Sequence, residues 1–94
     1  MTMLTAIVLV NAEIDKIPEV AQALADLDGV SDVYSVTGDI DLVALVKVRE
    51  YEDLAEVVSD QLGKVPGVTQ MRTHIAFRSF ASQDLEEAFH LGLE

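Results

Sequence analysis

Residues 36–48, Val36-Thr37-Gly38-Asp39-Ile40-Asp41-Leu42-Val43-Ala44-Leu45-Val46-Lys47-Val48, constrain the fold more than any other stretch. A glycine-bearing acidic turn runs straight into a strand that is apolar at nearly every position. Such a strand has to be covered on both faces. Met3 to Val10 has the same character, with Leu4, Ala6, Val8 and Val10 on one side and Ile7 and Leu9 on the other. Only two segments carry strong helical periodicity, and two helices cover one face of one small sheet. The opposite face needs a second copy of the chain.

The first helical segment presents Ile17, Val20, Ala21, Leu24 and Leu27 at helical spacing. Asp15 is the expected N-cap, Pro18 fits the first turn, and Gly29 is the stop. Val30 to Thr37 alternates as a second strand, and Gly38 to Asp41 is short enough for a hairpin turn. Glu50, Glu52 and Asp53 place negative charge where the dipole of the second helix favours it. Leu54, Val57, Val58 and Leu62 are its expected buried stripe. After Pro66-Gly67, Val68 to Phe80 reads as a fourth strand, with Met71, Ile75 and Phe77 on one face and Gln70, Arg72, His74 and Arg78 on the other. Gln83 to Leu91 reads either as a short acidic amphipathic helix or as a tail.

The order is strand, helix, strand, strand, helix, strand. Leu24, Leu27, Gly29, Val30 and Val33 recur as Leu62, Val65, Gly67, Val68 and Met71 at one constant offset. Two related halves in this order predict an α+β, ferredoxin-like βαββαβ fold with a four-stranded antiparallel sheet. In that plan the first and third strands are central, and these are the two without polar alternation. Leaving their second face wet would expose an apolar patch. The expectation is a homodimer in which two sheets pack face to face as an α/β sandwich or barrel. The alternative is that the C-terminal segment, with Leu85, Phe89 and Leu91, folds back over that face.

Composition narrows the function classes. Six basic against seventeen acidic residues give a net charge of −11, and the cations form no stripe. Nucleic-acid binding draws its affinity from neutralised phosphates, so direct binding to DNA or RNA is not expected. An anionic membrane surface is disfavoured for the same reason. There is no cysteine, which excludes disulfides, thiolate metal sites and cysteine nucleophiles. No stretch reaches the roughly 18–20 apolar residues of a membrane span, and the apolar start lacks a basic leader. A cytoplasmic protein is the simplest expectation.

The Val-Thr-Gly-Asp-Ile-Asp turn at 36–41, the apolar strand Leu42 to Val48, Leu62-Gly-Lys-Val-Pro-Gly-Val68 and Arg72-Thr73-His74-Ile75 together resemble one known module. This is the regulation-of-amino-acid-metabolism (RAM) domain of the Lrp/AsnC transcription regulators. The resemblance covers about residues 4–80. Family members usually begin with a helix-turn-helix domain, whereas here the first residues already resemble the first sensor strand. The expectation is therefore a stand-alone RAM protein, with residues 1–80 as ligand-binding and oligomerisation domain and 81–94 as an acidic helix or tail. The resemblance implies a dimer that assembles further, as in octamer-like rings of dimers. It also implies an amino-acid effector at the contact between dimers, and full-length Lrp/AsnC regulators as partners.

The resemblance places Val36, Gly38, Asp39, Ile40, Asp41 and Thr73 at the ligand. Asp41 matches the acidic position that receives an α-ammonium by a charge-assisted hydrogen bond. Asp39 would act through its backbone, and the Thr73 hydroxyl would reach the ligand's carboxylate or amine. Each has a plainer reading. Gly38 suits any tight turn needing positive φ, Asp39 and Asp41 suit a solvated acidic turn, and Thr73 suits an edge strand. Two carboxylates without further ligands make a poor metal site, so neither metal nor cofactor is expected. His74 and Tyr34 are the only support for an enzyme, and no nucleophile elbow or phosphate loop accompanies them. The favoured function is a non-catalytic sensing and oligomerisation module acting on transcription through partners. A small ferredoxin-like dimeric enzyme of the monooxygenase type and a purely structural partner stay open beside it.

Overall fold

The computed structural model describes residues 3–80. The expected helix or tail at 81–94 lies outside the described residues. Four strands, β1 (Leu4–Ala12), β2 (Val30–Ser35), β3 (Leu42–Val48) and β4 (Val68–Ala76), form one antiparallel sheet in the order β2-β3-β1-β4. Helix α1 (Ile17–Ala25) connects β1 to β2, and α2 (Tyr51–Ala55) begins the return from β3 to β4. The two strands without polar alternation, β1 and β3, occupy the centre.

Alternation along those strands divides the sheet into two faces. On the helix side, Ala6, Val8, Val10, Leu42, Ala44 and Val46 are fully buried beneath Val20, Leu24 and Leu62, with Leu54 and Val57 nearly so. On the other side, Ile7 faces Leu45 and Leu9 faces Val43 across the β1–β3 pair, and all four are half-buried. Tyr34 and Asp32 flank them from β2, Arg72 and His74 from β4. The helix-free face is thus an aliphatic centre with a polar border.

The internal echo of the sequence is a geometric repeat. Gly29 and Gly67 precede β2 and β4 with φ of +92° and +100°. Gly29 O accepts from Lys47 N at the end of β3, and Gly67 O accepts from Glu13 N just past β1, both at 2.8 Å. A Cβ on Gly29 would meet Val57 Cγ2 at 2.9 Å, and one on Gly67 would meet Val20 Cγ2 at 2.7 Å. Each half therefore closes by pressing a bare glycine against a buried valine of a helix.

Several local expectations are corrected. Asp15 does not cap α1: the chain leaves β1 through a 3₁₀ turn, Ile14–Lys16, in which Lys16 N donates to the Glu13 carbonyl at 2.8 Å. Lys16 occupies the cap position without a side-chain bond. β2 stops at Ser35 rather than Thr37, because Val36 N turns aside to the Asp41 carbonyl. β4 ends at Ala76 rather than Phe80, where its pairing with β1 runs out opposite Thr5. The second helix does not continue as α-helix: Glu56–Gln61 form a π-helical turn and Leu62–Lys64 a 3₁₀ turn.

Candidate functional site

The connection from β2 to β3 is the loop Val36–Asp41, longer than a minimal hairpin, and it is clamped to the end of β1. β1 outruns β3, whose pairing starts at Leu42 opposite Val10. Asn11 and Ala12 therefore have no β3 residue beside them, and the loop supplies the missing partners. Asp41 N donates to the Val10 carbonyl at 3.1 Å. Ala12 N donates to Asp41 Oδ2 at 2.9 Å. Asn11 Nδ2 donates to the Asp39 carbonyl at 3.0 Å. Val36 N closes the loop onto the Asp41 carbonyl at 3.1 Å.

These bonds divide the labour among the loop residues. Asp41 is half-buried, with one carboxylate oxygen committed to Ala12 and the other accepting no bond among the described residues. Asp39 is exposed, and its backbone carbonyl is engaged by Asn11. Gly38 takes φ +111° at the exposed tip, with open space around the position of a Cβ. Ile40 is half-buried and Val36 is 39% exposed, so the loop presents aliphatic surface beside its charges.

Thr73 does not join this cluster. It pairs with Val8 on the β4 side of β1, whereas the loop is held on the β3 side. Its side lies toward the helices, where it lines a crevice of about 200 Å³ with Tyr51, Leu54, Ala55, Val58, Ser59 and Ile75. Within one chain β1 separates the loop from Thr73. Tyr34 and His74 are separated too: they lie on the two edge strands, with β3 and β1 between them. No group of three His, Asp or Glu side chains that could hold a metal occurs among the described residues. No helix there is long and apolar enough to cross a membrane.

Sequence reasoning missed Asn11 and the crevice. Asn11 had a signal, a lone amide ending an otherwise apolar strand. The crevice had none, because Leu54, Val58 and Leu62 are spaced as in a regular helix and only the structure buries Val57 in place of Val58.

The chain matches the Lrp/AsnC ligand binding domain over residues 5–85 and belongs to that family. It is 35% identical over 68 residues to the HTH-type transcriptional regulator LrpA of Pyrococcus horikoshii, covering 72% of this chain and 48% of that protein. The chain spans about half the length of such regulators. The crystal structure of TTHA0845 from Thermus thermophilus superposes with a TM-score of 0.78 at 38% identity, over 83% of this chain and 98% of that one. The regulator NMB0573 of Neisseria meningitidis, solved as an L-Met complex, shares the fold at 18% identity, with a TM-score of 0.74 over 83% of this chain and 52% of that one.

Proposed function

We propose that this domain is a non-catalytic sensor that binds an amino acid where copies of the chain meet. One observation carries the reading: the loop Val36–Asp41 and Thr73 lie on opposite sides of β1. Neither half encloses a ligand alone, so a complete pocket takes the loop from one copy and the Thr73 side from another. In that pocket the uncommitted oxygen of Asp41 receives the ligand's ammonium. The Gly38 tip lets backbone approach closely, and Thr73 Oγ1 meets the polar end of the ligand. The Neisseria regulator of the same fold makes L-methionine a sensible first probe.

Assembly begins at the helix-free face. Ile7, Leu9, Val43 and Leu45 lose water when two sheets stack, and full burial of such a side chain is worth about 1.5–3 kcal/mol. Being already about two-thirds or more buried, each gains about a third of that or less. Dimers so formed then meet through the loops, in rings of dimers. A ligand that binds only the assembled state stabilises it by mass action, and assembly strengthens ligand binding by the same factor. A chain of net charge −11 is a poor ligand for phosphates, so the readout on transcription runs through protein partners such as full-length regulators carrying the same domain.

The test is mass-resolved solution size and calorimetry with each of the standard amino acids. At least one amino acid should bind and shift the assembly. Asp41→Asn, which keeps an oxygen for Ala12 N but removes the charge, should lose binding while still dimerising. A monomer at micromolar concentration that binds no amino acid at millimolar concentration would end the proposal.

A further inference from the structure

The second half of the fold differs from the first by one residue in its helix. The buried positions of α1 are Val20 and Leu24, four apart; their counterparts, Val57 and Leu62, are five apart. The glycine contacts establish the correspondence, since Gly67 lies against Val20 and Gly29 against Val57. The extra residue is absorbed as the π-helical turn Glu56–Gln61. Such turns are rare and frequently mark functional sites.

This one has a visible consequence. α1 packs mainly on the edge strand β2 and also touches β3, whereas α2 packs mainly on the central strands β3 and β1. The Leu62–Lys64 turn covers the helix side of the edge strand β4 beside Met71, and that side is left open further along, with Thr73 exposed and Ile75 40% exposed. Val58 is half-buried and Ser59 exposed in the wide turn, and both face β4 across the crevice. Its walls are Leu54, Ala55, Val58, Ile75 and the Tyr51 ring, with the hydroxyl groups of Tyr51, Ser59 and Thr73 as polar points and no carboxylate, ammonium or guanidinium.

We infer that this crevice receives the side chain of the amino-acid effector and restricts it to small or medium uncharged aliphatic and thioether chains. The inference rests on the sensing reading above and adds the chemistry of the ligand's variable part. At about 200 Å³ the crevice is smaller than the roughly 300–1,000 Å³ pockets that hold drug-sized ligands, and it suits one side chain. A charged side chain entering it would lose its water and find no partner charge, a heavy penalty. The Ser59 and Thr73 hydroxyls, on facing walls, offer hydrogen bonds to the ligand's polar backbone.

Calorimetry on the full chain with L-leucine, L-methionine, L-alanine, L-aspartate, L-lysine and L-tryptophan tests this. Leucine and methionine should bind, and aspartate, lysine and tryptophan should bind at least about tenfold more weakly, or not at all. Ala55→Leu, at an exposed position, fills the crevice. It should lose about tenfold or more for leucine and methionine, the size of a methylene misfit, while alanine is unaffected. Should circular dichroism show Ala55→Leu unfolded, Ser59→Leu probes the same wall. Aspartate or lysine binding as tightly as leucine, or unchanged leucine binding in the folded variant, would overturn the crevice assignment and leave sensing standing. Binding of none of the amino acids by the wild-type chain would remove the sensing reading itself, and this inference with it.

Discussion

Replacing Gly67 with alanine is expected to cost far more stability than the same change at Gly38, although both glycines have strongly positive φ. At Gly67, φ is +100°, and a Cβ would lie 2.7 Å from Val20 Cγ2 and 3.2 Å from Lys16 Cβ. Left-handed backbone costs a residue with a Cβ about 1–2 kcal/mol. The contact adds a second cost. Val20 is fully buried and β-branched, so its methyl cannot swing away without leaving its rotamer. Forcing a methyl into such a place typically costs about 1–3 kcal/mol, giving a total of roughly 2–5 kcal/mol. At Gly38, φ is +111° but nothing lies within 4 Å of the Cβ position, so only the first cost of about 1–2 kcal/mol applies. The two variants should be unfolded in urea at one fixed protomer concentration, since association shifts apparent stability. With equal slopes, the midpoints give the difference directly. Equal losses at the two positions would refute the claim that α1 and the start of β4 are in hard contact.

Asp41→Ala should cost about 1–2 kcal/mol, because Ala12 N loses its acceptor. Asp41→Asn should stay within about 0.5 kcal/mol of wild type, the usual range of a change that removes no such feature; equal destabilisation in the two variants would show that charge, not the hydrogen bond, holds the loop. Leu45→Asp sets a carboxylate in the aliphatic centre of the helix-free face, beside Ile7 and Asp32. Sedimentation should then report monomer with an unchanged circular dichroism spectrum, and an unchanged mass would remove that face from the association. Leu62→Ala empties a fully buried position under the π-helical turn and should lower stability by about 2–5 kcal/mol, read by thermal unfolding.

Burial alternation was legible in the sequence because it is a local property of a strand. Leu42 to Val48 shows apolar residues at both parities, and that alone places it in the middle of a sheet. The echo from Leu24 to Met71 showed two related halves, and Gly29 and Gly67 proved to be its structural pivots. Features that depend on competition between donors were not legible. Asp15 is a reasonable cap by type, but the chain enters the helix through a 3₁₀ turn closed on the Glu13 carbonyl, which moves the cap position on to Lys16. The end of β2 depends on whether Val36 N pairs across the sheet or closes the loop, and the local residues do not decide that.

The candidate site divides along the same line. Gly38, Asp39 and Asp41 were readable as a turn, because glycine and acidic residues between apolar strands have few other uses. That Asp41 spends one oxygen on Ala12 was not readable, since twenty-nine positions separate them and only the unequal lengths of β1 and β3 bring them together. Thr73 could be read as a strand residue, but its place on the far side of β1 follows from the strand order β2-β3-β1-β4. Periodicity by itself determined the elements and the central strands of this protein, because side-chain direction alternates residue by residue. Tertiary structure decided the clamped loop and the open crevice, because the first depends on which distant backbone groups of β1 are left without a partner and the second on where the second helix settles once the sheet has closed.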